Sequence, residues 1–241
     1  MISILPVAGL PEIREGDDVG ALIAGATELE DGDVVVVAQK AVSKAEGRVV
    51  RLDDVEVSDR ALELAGDGSD PRKLEVILRE TKSIIRSRGA LVISETHHGF
   101  VCASAGVDAS NAPEPDTLVL LPLDSDASAR EIRGSILERT GRDVGVIVSD
   151  SFGRPFRKGT TDVAIGVAGL APLIDLRGTV DRGGYMLRTS QVALADELAG
   201  AADLVRGKAD GVVAVVVRGA QVAGDGTAAE LVIPAERDLF R

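Results

Sequence analysis

The 241-residue sequence predicts an α+β (mixed α/β) fold in which helices cover mixed sheets. Three observations lead there. Short β-branched runs alternate with helical patterns. Strand pairs occur beside strand–helix alternation, which argues against a clean doubly wound repeat. No internal repeat or low-complexity linker divides the chain, so residues 1–241 are expected to form a single unit, with room for two subdomains.

Residues 2–7 open the chain as a strand. Residues 34–37 are four valines after the turn Asp31-Gly32 and read as a buried strand. Residues 70–88 carry Leu74, Ile77, Leu78, Ile84 and Ile85 at helical spacing, with Asp70 as N-cap and Pro71 behind it, so a helix is expected. Residues 90–94 form a strand that turns at His98-Gly99 into a partner at residues 100–103. Residues 117–121 are a further strand. Residues 124–140 form an amphipathic helix closed by Gly141. Residues 144–148 form a strand that ends in Ser149 and Asp150, residues 190–205 an alanine-rich helix, and residues 212–217 a last core strand. Between them, residues 151–184 are glycine-rich, basic and without periodicity. They are expected to be irregular, and such a segment inside a compact protein is usually functional or mobile.

Composition narrows the function. Apolar residues make up 45% and charged residues 27%, ordinary for a folded globular protein. Aromatic residues are only 2%, so the core must be aliphatic and stacking platforms for single-stranded nucleic acid are lacking. The formal charge of −12 is the reverse of what duplex binding needs, so no nucleic-acid partner is expected. Anionic substrates would have to be met by local cations. No signal-peptide pattern and no run long enough to span a membrane is visible, and the cytoplasm is the expected compartment. The single cysteine, Cys102, can make neither an internal disulfide nor a multi-cysteine metal site. Between Val101 and Ala103 it is expected to be a small buried residue.

The familiar nucleotide motifs are absent. Residues 153–159 approach a P-loop but have the wrong order and spacing, and Gly224-Asp225-Gly226 reads as a turn. His97 and His98 are adjacent, so in a strand they would face opposite sides and could not share a metal. What remains is a pair of aspartates at element ends, Asp108 and Asp150, the latter followed by Ser151. Carboxylates there either hold a hard cation such as Mg²⁺ or Mn²⁺ or bond backbone amides in a turn or cap. The second constellation is basic: Lys40, Lys44 and Arg48 after residues 34–37, then Arg154, Arg157 and Lys158 after Asp150. These are either phosphate contacts or solvated loop charges.

At these residues the sequence resembles the coenzyme F420:L-glutamate ligase family. The matching stretches are LPVAGLPEI at residues 5–13, DGDVVVV at 31–37, VSKAEGR at 42–48, AGVDASN at 105–111, SDSFGR at 149–154 and VALADEL at 192–198. They keep the family's order across nearly the whole chain. The resemblance is to the stand-alone form, without the nitroreductase-like domain that some relatives carry. It implies GTP as cosubstrate, with Leu10, Pro11, Glu12 and Ile13 lining the nucleotide site beside Gln39, Lys40, Lys44 and Asn111. It implies a divalent metal, Mg²⁺ or Mn²⁺, at Asp108 and Asp150 with Ser151 as a hydroxyl ligand, K⁺ as a further candidate ion, and an intertwined homodimer. The implied reaction adds L-glutamate to the F420 precursor through an acyl phosphate, releasing GDP and phosphate. No general base is singled out.

One segment departs from the family. Many relatives carry Met-Gly-Gln after the alanine-rich helix, where the Gln helps hold a second metal ion. Arg206-Gly207-Lys208 stands there in this chain. A protonated Lys has no lone pair for a cation but suits a phosphate, so Gly207 and Lys208 are expected at the nucleotide. Two other classes use the same residues: a metal-dependent nucleotide phosphohydrolase and a non-catalytic GTP-binding protein.

Overall fold

The computed structural model describes residues 1–208, 210–222 and 224–240. The chain opens with β1 (Ser3–Pro6) and α1 (Val19–Ala26), whose N-cap Asp18 accepts the Ala21 N–H at 2.9 Å. β2 (Val34–Ala38) passes directly into α2 (Gln39–Ala45). β3 (Val49–Arg51) is followed by α3 (Asp59–Ala65), capped by Ser58, and α4 (Pro71–Arg79), capped by Asp70 with Pro71 in its first turn.

The helix expected over residues 70–88 stops at Arg79. Residues from Thr81 onward instead form β4 (Thr81–Arg88), which pairs antiparallel with β5 (Leu91–Thr96), itself paired with β6 (Val101–Ala103). Two register shifts in β4, at Thr81/Ser83 and Ile84/Arg86, break its alternation and leave the apolar residues at a helix-like spacing. β7 (Thr117–Val119) pairs with β3, and α5 (Ser125–Thr140) ends, as expected, on left-handed Gly141 at φ +69°.

The segment expected to be irregular also resolves into structure. β8 (Gly145–Gly153) runs past Asp150, and β9 (Thr160–Ala168) returns antiparallel beside it. β10 (Ile174–Asp175) pairs with β11 (Gln191–Val192), so α6 (Leu194–Arg206) starts later than the expected residue 190. β12 (Ala214–Arg218) is the last strand among the described residues.

The main sheet has the order β1-β12-β2-β8-β9, in which β2 and β8 are parallel and every other pairing is antiparallel. The four valines of β2 are buried on both faces. Val35 and Val37 pack with Ile23 of α1 and Ile132 and Ile136 of α5, while Val34 and Val36 pack with Leu198 and Ala202 of α6. A third cluster, with Leu74, Ile77, Val92 and Leu118, fills the space under α4. β9 passes α5 so closely that a Cβ on Gly166 would overlap the Ser125 backbone. The parallel pair matters most for function: β2 and β8 end at one edge of the sheet, where β2 feeds α2 and β8 carries Asp150. Open sheets bind ligands at such carboxyl ends.

Candidate active site

A cleft of about 870 Å³ opens at this edge, within the range of small-molecule sites. The predicted residues converge on it from five separate segments. Leu10, Pro11, Glu12 and Ile13 come from the loop after β1, and Gln39, Lys40 and Lys44 from α2. Asp108 and Asn111 come from the loop after β6, Asp150 and Ser151 from β8, and Gly207 and Lys208 from the segment after α6.

The α2 lysines are spaced four apart, which puts both on one helix face. Lys40 Nζ lies 2.6 Å from Asp108 Oδ2 and 2.5 Å from Ser110 Oγ, and Lys44 Nζ lies 2.5 Å from Glu12 Oε1. Gln39 is different: the residue is 2% exposed, and its Nε2 donates to Ser43 Oγ at 2.6 Å and to the Leu120 carbonyl at 2.8 Å. That amide fastens α2 to the chain after β7, so its donor is already committed within the protein. Asn111 adopts left-handed φ +54° and donates from Nδ2 to the Lys208 carbonyl at 3.4 Å, joining the Asp108 loop to the segment after α6.

The two aspartates sit in opposite electrostatic settings. Burial works against the charge on Asp108, but the Lys40 ammonium and the Ser110 hydroxyl and N–H outweigh it and hold the carboxyl at about 2. Asp150 is raised to about 6. Burial is the main cause, and the carboxylates of Asp162 and Asp108 add to it, against the Ser151 N–H and Lys40. The same burial and the Asp150 charge push the Cys102 thiol up to about 12, in keeping with its expected inert role.

Asp150 and Ser151 are successive residues of a strand and leave it on opposite sides. Ser149 and Ser151 face the α6 side, where both hydroxyls donate to Asp162 of β9, at 3.0 and 2.7 Å. Arg206, at the end of α6, donates to Ser149 Oγ at 2.9 Å and pairs with Asp162. Asp162 and Arg206 are 4% and 5% exposed, and neither was marked in the sequence reading. The usable signal was a carboxylate at the head of an apolar run, Asp162 before Val163-Ala164-Ile165.

Other sequence candidates fall outside the cleft. Arg48 is tied to Glu80 at 2.8 Å and to the Leu121 carbonyl at 2.8 Å. Arg154, Arg157 and Lys158 belong to the turn between β8 and β9, with Arg154 Nη2 on the Lys158 carbonyl at 2.8 Å, and do not line the cleft. His97 and His98 bond different carbonyls, those of Arg79 and Pro122.

Among the described residues no group of three or more His, Cys, Asp or Glu side chains could hold a metal by itself. The donors at this edge are all oxygens: the two carboxylates and, leaving β8 on the other face, the Ser151 hydroxyl. Oxygen donors suit a hard ion such as Mg²⁺, which completes its shell with water and substrate phosphates. Among the described residues no helix is long and apolar enough to cross a membrane.

Residues 9–219 match the family model described as F420-0:Gamma-glutamyl ligase. The coenzyme F420:L-glutamate ligase of Methanothermobacter thermautotrophicus is 46% identical over 250 aligned residues, spanning 100% of this chain and 99% of that protein. The proteins of the same name from Methanopyrus kandleri and Archaeoglobus fulgidus are 47% and 42% identical, each over 100% of this chain and 98% and 96% of their own lengths.

Proposed function

The chain belongs to the F420-0:gamma-glutamyl ligase family, and on that premise we propose that it is a carbon–nitrogen ligase that uses GTP to join L-glutamate to the coenzyme F420 precursor. The observation that carries the reading is the convergence of Lys40, Lys44, Asp108 and Asp150 on one cleft at the carboxyl ends of β2 and β8.

A carboxylate does not condense with an amine in water without activation. The terminal carboxylate of the precursor attacks the γ-phosphorus of GTP; an O–P bond forms and the bridging bond to GDP breaks. The glutamate amine then attacks the acyl carbon, forming the C–N bond and expelling phosphate. Asp108 and Asp150 are the carboxylates that would hold a divalent cation; Ser151 leaves β8 on the opposite face, so its hydroxyl would serve a cation at a different position in the cleft. When bound, that ion supplies charge neutralisation on the phosphates. The chain's own contribution is electrostatic and positional. Lys40 and Lys44 are ammonium donors, each half-committed to a carboxylate that a phosphate can displace. Lys208, exposed and held beside Asn111 through its carbonyl, offers a third. Leu10 and Ile13 give the cleft an apolar wall on the side of the loop after β1.

The direct test is GTP turnover with and without glutamate and precursor, in the wild type and in Asp108→Asn and Asp150→Asn. The carboxamides keep size but remove the charge that holds a hard cation. A ligase requires both cosubstrates and loses turnover in both variants. Phosphate release without glutamate would instead favour a phosphohydrolase, and tight GTP binding without turnover a binding protein. The family resemblance also supports a homodimer, which light scattering at micromolar concentration reads; a fully active monomer would contradict it.

A further inference from the structure

Asp162 stands opposite Ser151 in the β8–β9 ladder, and it and Arg206 are buried residues of the cleft lining. A serine hydroxyl has one proton and two lone pairs. The Ser151 proton is committed to Asp162 Oδ1 at 2.7 Å, so both lone pairs of its oxygen are left for the cleft, which Ser151 lines. A hydroxyl can serve a cation only in that state, with its proton turned away. Asp162 accepts that hydrogen bond on Oδ1, which leaves Oδ2 for its other partners. The Arg206 guanidinium and the Ser149 hydroxyl supply the compensating partners on Oδ2. The register shift between Val148 and Ser149 precedes this stretch, and after it Ser149 and Ser151 both meet Asp162 on one face.

We propose that Asp162, fixed by Arg206, is a positioning residue: it accepts the Ser151 O–H hydrogen bond so that the Ser151 oxygen presents its lone pairs to a divalent cation in the cleft. The inference rests on reading the cleft as a cation–nucleotide site. A mere brace between β9 and α6 would use the same pair, but its loss would not act through Ser151.

The experiment is a double-mutant cycle on metal affinity, with no turnover involved. Mn²⁺ binding is measured by electron paramagnetic resonance beside a non-hydrolysable GTP analogue, for wild type, Ser151→Ala, Asp162→Leu (which, unlike Asn, leaves no acceptor) and the double variant. Each single change is expected to weaken Mn²⁺ about tenfold or more, as outer partners of ligands do. The double variant should bind no more weakly than Ser151→Ala, because Asp162 acts through that hydroxyl. Ser151→Thr, which keeps the hydroxyl, should restore most of the affinity. Additive losses, or wild-type affinity in Asp162→Leu, overturn the inference. If Asp162→Leu does not fold because Arg206 is left unpaired, the cycle is run in Asp162→Leu/Arg206→Met, with the same criterion. A wild type that binds no Mn²⁺ beside the analogue removes the reading of the cleft itself; a wild type that binds while the losses add removes only this inference.

Discussion

Arg206→Met should be among the most damaging single changes outside the aliphatic core. The Arg206 and Asp162 side chains are 6% and 5% exposed, so neither charge can turn to water when its partner is lost. Breaking such a pair from one side costs about 3–5 kcal/mol. Asp162 would keep the Ser149 and Ser151 hydroxyls as donors, which places the expected loss at the lower end, about 3 kcal/mol. For a chain of this size that is roughly 6–12 °C in Tm. Removing both charges in Asp162→Asn/Arg206→Met takes away the uncompensated carboxylate, so the double variant should recover to within about 1.5 kcal/mol of wild type. Urea denaturation followed by circular dichroism gives both numbers. A loss under about 1 kcal/mol in Arg206→Met, or a double variant no better than the single, would refute the claim that this pair is a compensated buried charge.

Glu46→Gln should raise stability at neutral pH. Burial raises the Glu46 carboxyl above its ordinary 4.5; the Ser128 hydroxyl opposes this, and the Glu131 and Asp124 carboxylates add to it. The unfolded chain therefore ionises more readily, and wild-type stability falls as pH rises from about 4.5 through the folded value. The variant's higher Tm at pH 7 should fade below that point; an equal gain at pH 4 would contradict it. Cys102, with its thiol pushed up to about 12, should react with a disulfide reagent at pH 8 far more slowly in the native protein than in guanidinium, and equal rates would place it in solvent. Lys208→Ala should weaken GTP binding about threefold to tenfold at low salt, with a smaller loss at high salt, while Lys208→Gln should deepen the dependence on free metal. Wild-type GTP affinity and metal titration in both would put Lys208 outside the site.

The fold was legible where burial is two-sided or capping is local. β2, β8 and β12 are apolar runs because both of their faces are covered, and α5 announces itself through Asp124 and Gly141. α2 was invisible because it starts directly from β2, with Ala38 as an N-cap that makes no side-chain bond. α1 is short and carries two glycines, which weakens its helical signal. β4 imitated a helix through its register shifts, and β9 hid behind Asp162 and Gly166, a carboxylate and a glycine within its run.

The candidate site divides in the same way. Lys40, Asp108 and Asp150 could be picked out because each follows an apolar strand closely, and the family motifs then ordered them. Asp162 and Arg206 could not be paired from sequence, since they lie 44 residues apart and meet only through the β8–β9 hairpin packing on α6. Their spacing carries no period. Gln39 was assigned to the nucleotide with its neighbours, whereas its side chain is spent on Ser43 and Leu120, a distinction that only coordinates reveal.

The most direct measurement of the central claim is isotope transfer. The precursor is prepared with ¹⁸O in its terminal carboxylate and incubated with enzyme, GTP, Mn²⁺ and L-glutamate, and both products are weighed by mass spectrometry. Activation of that carboxylate by phosphoryl transfer predicts a precursor heavier by one glutamyl residue, and one ¹⁸O in the released phosphate. Glutamate-independent release of unlabelled phosphate, with the precursor unchanged, would contradict it.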